Sequence, residues 1–220
     1  MQSKDSDPRG CTRYLDRRSF MHTGTLVGAG LIVPVTITAE QRAGGRGGDE
    51  PEEDVAPPED LPNEAEIKAT ILPNMPEAVQ RYYKSERPIE LRPVEYGRYL
   101  GQKSESGKFN VWIKATGKLP DDPAIHQCVL AYASDMSLLN TALVPHGRSL
   151  FEKEFMGASL DHALWLHRPF RADDWLLYAQ ESPSMTGARG FARGLIFRRD
   201  GALVASVAQE GLVRIRRADG

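Results

Sequence analysis

Ser159, Asp161, His162 and His167 fall close together in SLDHALWLHRPF, and serine, histidine and aspartate are the types from which a nucleophilic hydrolase triad is built. No GxSxG elbow leading into a helix accompanies them, and the histidines alternate with Leu160, Leu164 and Leu166 as in a strand, so little supports a triad. His162 shares the leucines' face and is expected to be a hydrogen-bonded core histidine. Asp135 lies three residues after Tyr132 and four before Leu139, at the margin of an apolar helical stripe. Aspartate suits a helix interior poorly, and a carboxylate at a buried margin costs free energy unless it is partnered. Either Asp135 is a solvated flank residue or something bonds to it. Gln209 raises the same question on a strand. In VASVAQEGLVRIRR, Leu203, Ala205, Val207, Gly211, Val213 and Ile215 form one apolar row, while Glu210, Arg214 and Arg216 point the other way. Gln209 stands inside the apolar row, where a buried amide needs partners at both ends. A structural role and a functional one both remain open for it. GARGFARG has the look of a nucleotide loop but precedes no helix, so its glycines are expected to permit a bulge or a close backbone approach. Arg189 and Arg193 are either solvated or face an anionic ligand. Cys11 and Cys128 fit neither CxxC nor Cys/His ligand spacing, which argues against a structural zinc and a disulfide framework and suits a reducing compartment.

These residues need elements to position them. DDPAIHQCVLAYASDMSLLNTALVPHG predicts one helix of about six turns. Asp122 is its N-cap, Pro123 its first helical residue, and Pro145 with Gly147 its end. Ile125, Val129, Tyr132, Met136, Leu139 and Leu143 form its expected apolar stripe. Before it, NEAEIKATIL and MPEAVQRYYKS read as short helices, while RPIELRPVEY and KFNVWIKATG read as strands, the first with prolines that suit a sheet edge. After it come four strand-like segments, ASLDHALWLHR, DDWLLYAQES, ARGFARGLIFRR and ALVASVAQEGLVRIRR, with Asp200-Gly201 turning between the last two. Ser159 would then open the first of the four. Two strands, a long apolar helix and an antiparallel meander define an α+β pattern in which a sheet wraps a helix.

The formal net charge of -2 gives no electrostatic reason to expect a nucleic-acid partner. Residues 41–62, rich in Gly, Pro and acids, cannot bury a core and read as a linker. Upstream, DRRSFMHTGTLVGAGLIVPVTITAEQ holds the pair Arg17-Arg18 before a Gly-rich, mildly apolar run, which resembles a twin-arginine export signal. Pro34, several threonines and the acids Asp5, Asp7 and Asp16 speak for a degraded strand instead, and the run is short and polar for a membrane-spanning helix.

HQCVLAYASDMSLLNTAL, SLDHALWLHRPF, WLLYAQES, ARGFARG and VASVAQEG together resemble, in order and spacing, the C-terminal half of acyl-CoA thioesterase II, the TesB-type double-hotdog family. The resemblance covers roughly residues 58 to 217. It implies a hotdog fold, with an antiparallel sheet wrapped around one long central helix, and hydrolysis of acyl-CoA to free acid and CoA without a metal or cofactor. In that family an Asp on the hotdog helix, a Thr or Ser at the following strand and a Gln near the C-terminus hold the hydrolytic water, and the matching positions are Asp135, Ser159 and Gln209. Such a set suits direct attack by water: the carboxylate takes the proton while hydroxyl and amide orient the oxygen. Hotdog hydratases use a different Asp/His signature with an Asn-Pro element that DMSLLNTAL lacks. The family has two hotdogs per chain, whereas only residues 13–41 could here be the end of the first, and the double arginine would then be a remnant of it. The expected organisation is therefore a divergent or disordered segment 1–57 and a hotdog domain 58–220. It is expected to be cytoplasmic, with no nucleic-acid or membrane partner, acting on acyl-CoA as a homo-oligomer. The competing expectation is a non-catalytic or degenerate hotdog that serves only in assembly or acyl-CoA binding.

Overall fold

Side chains alternate between buried and solvated along the C-terminal half, and the strands that result form a single antiparallel sheet. The computed structural model describes residues 55–215 apart from 75, 76, 78, 79, 81–86, 100, 105, 106, 151 and 153. The twin-arginine segment, most of MPEAVQRYYKS and Arg216 therefore lie outside the described residues. The strands are β1 (Ile89–Pro93), β2 (Lys108–Ala115), β3 (Phe155–Ser159), β4 (Ala163–Leu166), β5 (Leu176–Thr186), β6 (Arg189–Arg198) and β7 (Leu203–Ile215). Their order is β1-β2-β5-β6-β7-β3, with β4 also paired to β7. β1 is an edge strand, as its prolines predict. The helices whose full bounds fall among the described residues are α1 (Glu64–Ile71), α2 (Tyr96–Tyr99) and α3 (Pro123–Asp135). Asn63 starts α1 with a capping box, its side chain accepting from the backbone of Glu66 while Glu66 accepts from the backbone of Asn63.

On the inner face, Phe109, Val111, Ile113, Tyr178, Ile196 and Val207 pack with Leu130, Ala133 and Leu138 from the helical layer. Leu130 is 1% exposed, and cutting such a side chain to alanine costs about 2–5 kcal/mol. The outer face is covered at one end. There Trp112, Leu177, Phe197 and Leu203 pack with Val55 and Leu61, and the Trp112 indole donates to the Ala56 carbonyl at 2.9 Å. The last residues of the Gly/Pro/acid-rich stretch thus lie on the sheet.

Three expectations need correction. First, the long helix is two segments. α3 stops at Asp135, and after Ser137 the chain winds as a 3-10 helix from Leu138 to His146, ending at Gly147 with φ 64°. Asp122 does cap it, accepting from Ala124 N at 2.9 Å. The break follows from bonds to the sheet: the Gln180 amide donates to Ser137 Oγ at 2.7 Å and Thr141 donates to Gln180 Oε1 at 2.8 Å, so tertiary hydrogen bonds override α-helical winding. Second, the buried face of α3 carries His126, Leu130, Ala133 and Ser134, while Ile125 and Tyr132 are exposed. The rest of the expected stripe holds, with Val129 and Met136 packed partly buried against the core and Leu139 and Leu143 buried. Third, ASLDHALWLHR is two strands. β3 and β4 pair with successive stretches of β7, Gly211–Ile215 and Ala205–Ala208, and residues 160–162 bridge them. Ser159 consequently closes β3 instead of opening a strand.

The apolar row of β7 holds from Leu203 to Val213, whereas Ile215 at its end is 69% exposed. The Asp200-Gly201 turn is present, with Arg198 N donating to Ala202 O at 3.0 Å and Gly201 at φ 81°. The glycines of β6 and β7 do allow close approach. A Cβ on Gly190 would stand 2.6 Å from that of Ala142, and one on Gly211 would collide with the Leu139 side chain. The 3-10 segment can sit against the sheet only because those positions lack a side chain.

Candidate functional site

α3 delivers Asp135 at its last residue, β3 delivers Ser159 at its last residue, and β7 delivers Gln209 from the middle of its buried row. β3 pairs with β7 through Ser159 opposite Gly211, which sets the serine beside Gln209 on the inner face. The three side chains meet at one carboxylate oxygen. Gln209 Nε2 donates to Asp135 Oδ1 at 2.6 Å and to Ser159 Oγ at 2.5 Å, and Ser159 Oγ donates to the same Oδ1 at 3.3 Å. The acceptors fix the orientation of the amide, because turning it over would aim Oε1 at a carboxylate. Gln209 is fully buried, and its Oε1 has no hydrogen-bond partner among the described residues. The Asp135 side chain is 50% exposed, so a water-accessible carboxylate adjoins an occluded amide. No described residue bonds its other oxygen, Oδ2.

The second layer is polar as well. His162 is 7% exposed and its Nε2 lies 2.8 Å from Ser134 Oγ, so it is a buried, hydrogen-bonded histidine as expected. The Tyr178 hydroxyl donates to Ser134 O at 3.1 Å. Burial, and to a lesser degree the negative Asp135, push the Tyr178 hydroxyl well above its ordinary range, so it remains a donor. Ser134 and Tyr178 escaped the sequence reading, and the one available signal was the position of Ser134 immediately before Asp135.

The Ser/His/Asp set of SLDHALWLHRPF does not converge. Asp161 accepts from Glu210 N at 2.6 Å, His167 Nε2 meets Ser206 Oγ at 2.8 Å, and no hydrogen bond joins Ser159 to His162. Arg189 pairs with Glu210 at 3.6 Å and Arg193 with Glu181 at 2.5 Å, so both are exposed ion-paired cations. A groove of about 590 Å³ opens on the sheet's outer face beside Trp165, Phe191 and Arg193, across the sheet from Asp135. Among the described residues no helix is long and apolar enough to cross a membrane.

An antiparallel sheet enclosing one helical layer is the hotdog architecture. A hotdog-fold protein of unknown function from Alicyclobacillus acidocaldarius superimposes with a TM-score of 0.55 at 14% identity, over 80% of this chain and 60% of its own. Residues 79–212 match the family model for acyl-CoA thioesterase, and the chain belongs to that family. It is 38% identical to acyl-CoA thioesterase 2 of Haemophilus influenzae over 73% of this chain and 56% of that protein. It is 41% identical to mouse acyl-coenzyme A thioesterase 8, over 74% and 52%. Among solved structures, the acyl-CoA thioesterase II TesB2 of Mycobacterium marinum aligns with a TM-score of 0.59 at 37% identity, covering 80% of this chain and 60% of its own. The chain spans about half the length of the curated relatives it matches.

Proposed function

We propose that this chain hydrolyses acyl-CoA to a free fatty acid and CoA by direct attack of a water held at Asp135, Ser159 and Gln209. The observation that carries the reading is the convergence of the Gln209 amide and the Ser159 hydroxyl on Asp135 Oδ1, in a half-exposed side chain whose Oδ2 no described residue bonds. Asp135 Oδ2 takes a proton from the water as its oxygen bonds the thioester carbon. The C–S bond then breaks, the acid leaves with the water's oxygen, and the proton held by Asp135 passes to the departing sulfur. Ser159 and Gln209 hold the carboxylate and the water in register, worth several powers of ten when reacting atoms are kept in near-attack geometry. Residues 58–220 act as the catalytic hotdog in the cytoplasm. The edge of β3, unpaired among the described residues and with exposed Met156 and Ile215 at its side, pairs with a second copy of the chain.

The competing reading, a hotdog that binds or assembles without hydrolysing, draws on the half-length match to the relatives. Purified chain is incubated with acyl-CoAs of short, medium and long acyl groups, free thiol and free acid are both quantified, and sedimentation records the mass. Equal release of thiol and acid from at least one acyl-CoA by an oligomer is expected. Acyl-CoA binding without thiol release from any member would establish the competing reading, and an active monomer would overturn the pairing at β3.

A further inference from the structure

His162 has a second nitrogen that its core role leaves unused. Nδ1 is buried and has no hydrogen-bond partner among the described residues, yet it lies 3.9 Å from Asp135 Oδ1, the oxygen already bonded by Gln209 and Ser159. The ring cannot turn freely, because Nε2 is held at 2.8 Å by Ser134 Oγ on the last turn of the helix that carries Asp135. We propose that His162 is a positioning residue for Asp135: clamped by Ser134, it presents its Nδ1 edge to Oδ1 and helps hold the carboxylate so that Oδ2 faces the attacking water. This rests on the hydrolytic reading above.

The proton arrangement follows from the neighbours. Ser134 has one hydroxyl proton and two acceptors within reach, Ala131 O at 3.0 Å and His162 Nε2. With the proton directed at Ala131, Nε2–H donates to Ser134, and a neutral ring turns the Nδ1 lone pair toward a negative oxygen. With the proton directed at Nε2, the ring carries its hydrogen on Nδ1, facing Oδ1. Electrostatics selects the second arrangement, so the carboxylate and the Ser134 hydroxyl together set the tautomer. Gln209 and Ser159 then bond Oδ1 while His162 Nδ1 faces it at 3.9 Å, so that β7, β3 and the β3–β4 bridge all present polar groups to one atom and none of the three is spent on Oδ2.

Two isosteric substitutions separate this role from packing. An asparagine amide reaches the place of Nδ1 but not that of Nε2, and a glutamine amide does the reverse. In the full chain, with thiol release followed on the best acyl-CoA of the panel, His162→Gln keeps the bond to Ser134, and its kcat is expected to fall about 10–100-fold with KM little changed. His162→Asn is expected to retain more activity than His162→Gln even if it melts lower, and in an Asp135→Asn background His162→Gln is expected to add no further loss. The reverse order of the two variants, or a full additive loss on top of Asp135→Asn, would make His162 a packing residue and overturn the proposal. Near-parental Asp135→Asn would instead refute the hydrolytic reading. Imidazole ¹⁵N spectra then decide the contact without reference to turnover. The Nδ1 resonance that disappears in His162→Gln should be protonated in the parent and shift in Asp135→Asn, and a resonance indifferent to Asp135→Asn would overturn the proposal.

Discussion

Two glutamines face the helical layer from the same side of the sheet. Gln180 on β5 and Gln209 on β7 are both buried, the first ending the apolar row of Leu176 and Tyr178 and the second interrupting one, and each donates to a serine hydroxyl. Gln180 is complete: Thr141 supplies its carbonyl and Ser137 takes its amide, and all three residues are shut away from solvent. Gln209 is incomplete, with both amide hydrogens committed around a half-exposed carboxylate and its carbonyl unpartnered among the described residues. One amide closes a network that shapes the helix break, and the other ends at a surface where a ligand can arrive. A polar residue in an apolar row therefore reveals its role through its partners' exposure and its own unspent atoms, more than through its burial.

The largest test of that contrast is Asp135→Asn, which keeps the shape of the side chain and removes the proposed base. Turnover should drop at least ~100-fold while the melting temperature stays close to the parent's, and a variant with near-parental turnover would return Asp135 to the solvated flank. Next comes the glutamine pair itself. Gln209→Ala should lower kcat by roughly 10–100-fold. Gln180→Ala, which orphans Ser137 and Thr141, should cost about 1–3 kcal/mol in denaturant unfolding and leave turnover per folded molecule unchanged. If the two variants exchange these effects, the distinction between a closed and an open network fails. Ser159→Ala should be milder, about tenfold in kcat, because Gln209 still holds Oδ1.

Much of this was legible in the sequence because burial on β7 has period two. The row from Leu203 to Val213 is where the pattern puts it, and Gln209 is the interruption the pattern flags. The meander, the Asp200-Gly201 turn and the Asp122 cap are likewise local events with local signals. What escaped was decided at a distance. Nothing within residues 122–147 reports that Gln180 will bond Ser137 and Thr141 and so break the helix after Asp135. Nor does SLDHALWLHRPF report that β7 is long enough to pair with two strands in succession, which moves Ser159 from the start of a strand to the end of one. The convergence on Oδ1 depends on both events, so the resemblance could name its residues but not the helix end and strand end that deliver them.

The smallest expected effect lies far from the site and asks whether a closed network can also be read through pH. The Arg171 guanidinium, seconded by the Leu119 N–H, holds the Asp173 carboxyl far below the usual carboxylate range. Asp173 binds a proton less readily folded than unfolded, so its contribution is complete above its unfolded value, near ~4, and is lost as pH falls from there toward its depressed folded value. Arg171→Met should lower stability at neutral pH and flatten its decline below about pH 4 in urea titrations. An unchanged acid slope would show that Asp173 is not set by Arg171.

Attack by water has one consequence that separates it from every route through an acylated side chain. With enzyme in excess and the reaction quenched at successive millisecond times, CoA and free acid should appear in equal amounts at every point, because the C–O bond to water forms before the C–S bond breaks. An early burst of CoA unmatched by acid, approaching the acyl-CoA concentration, would mean that Asp135 or Ser159 had itself taken the acyl group, and would contradict the role assigned to Asp135, Ser159 and Gln209.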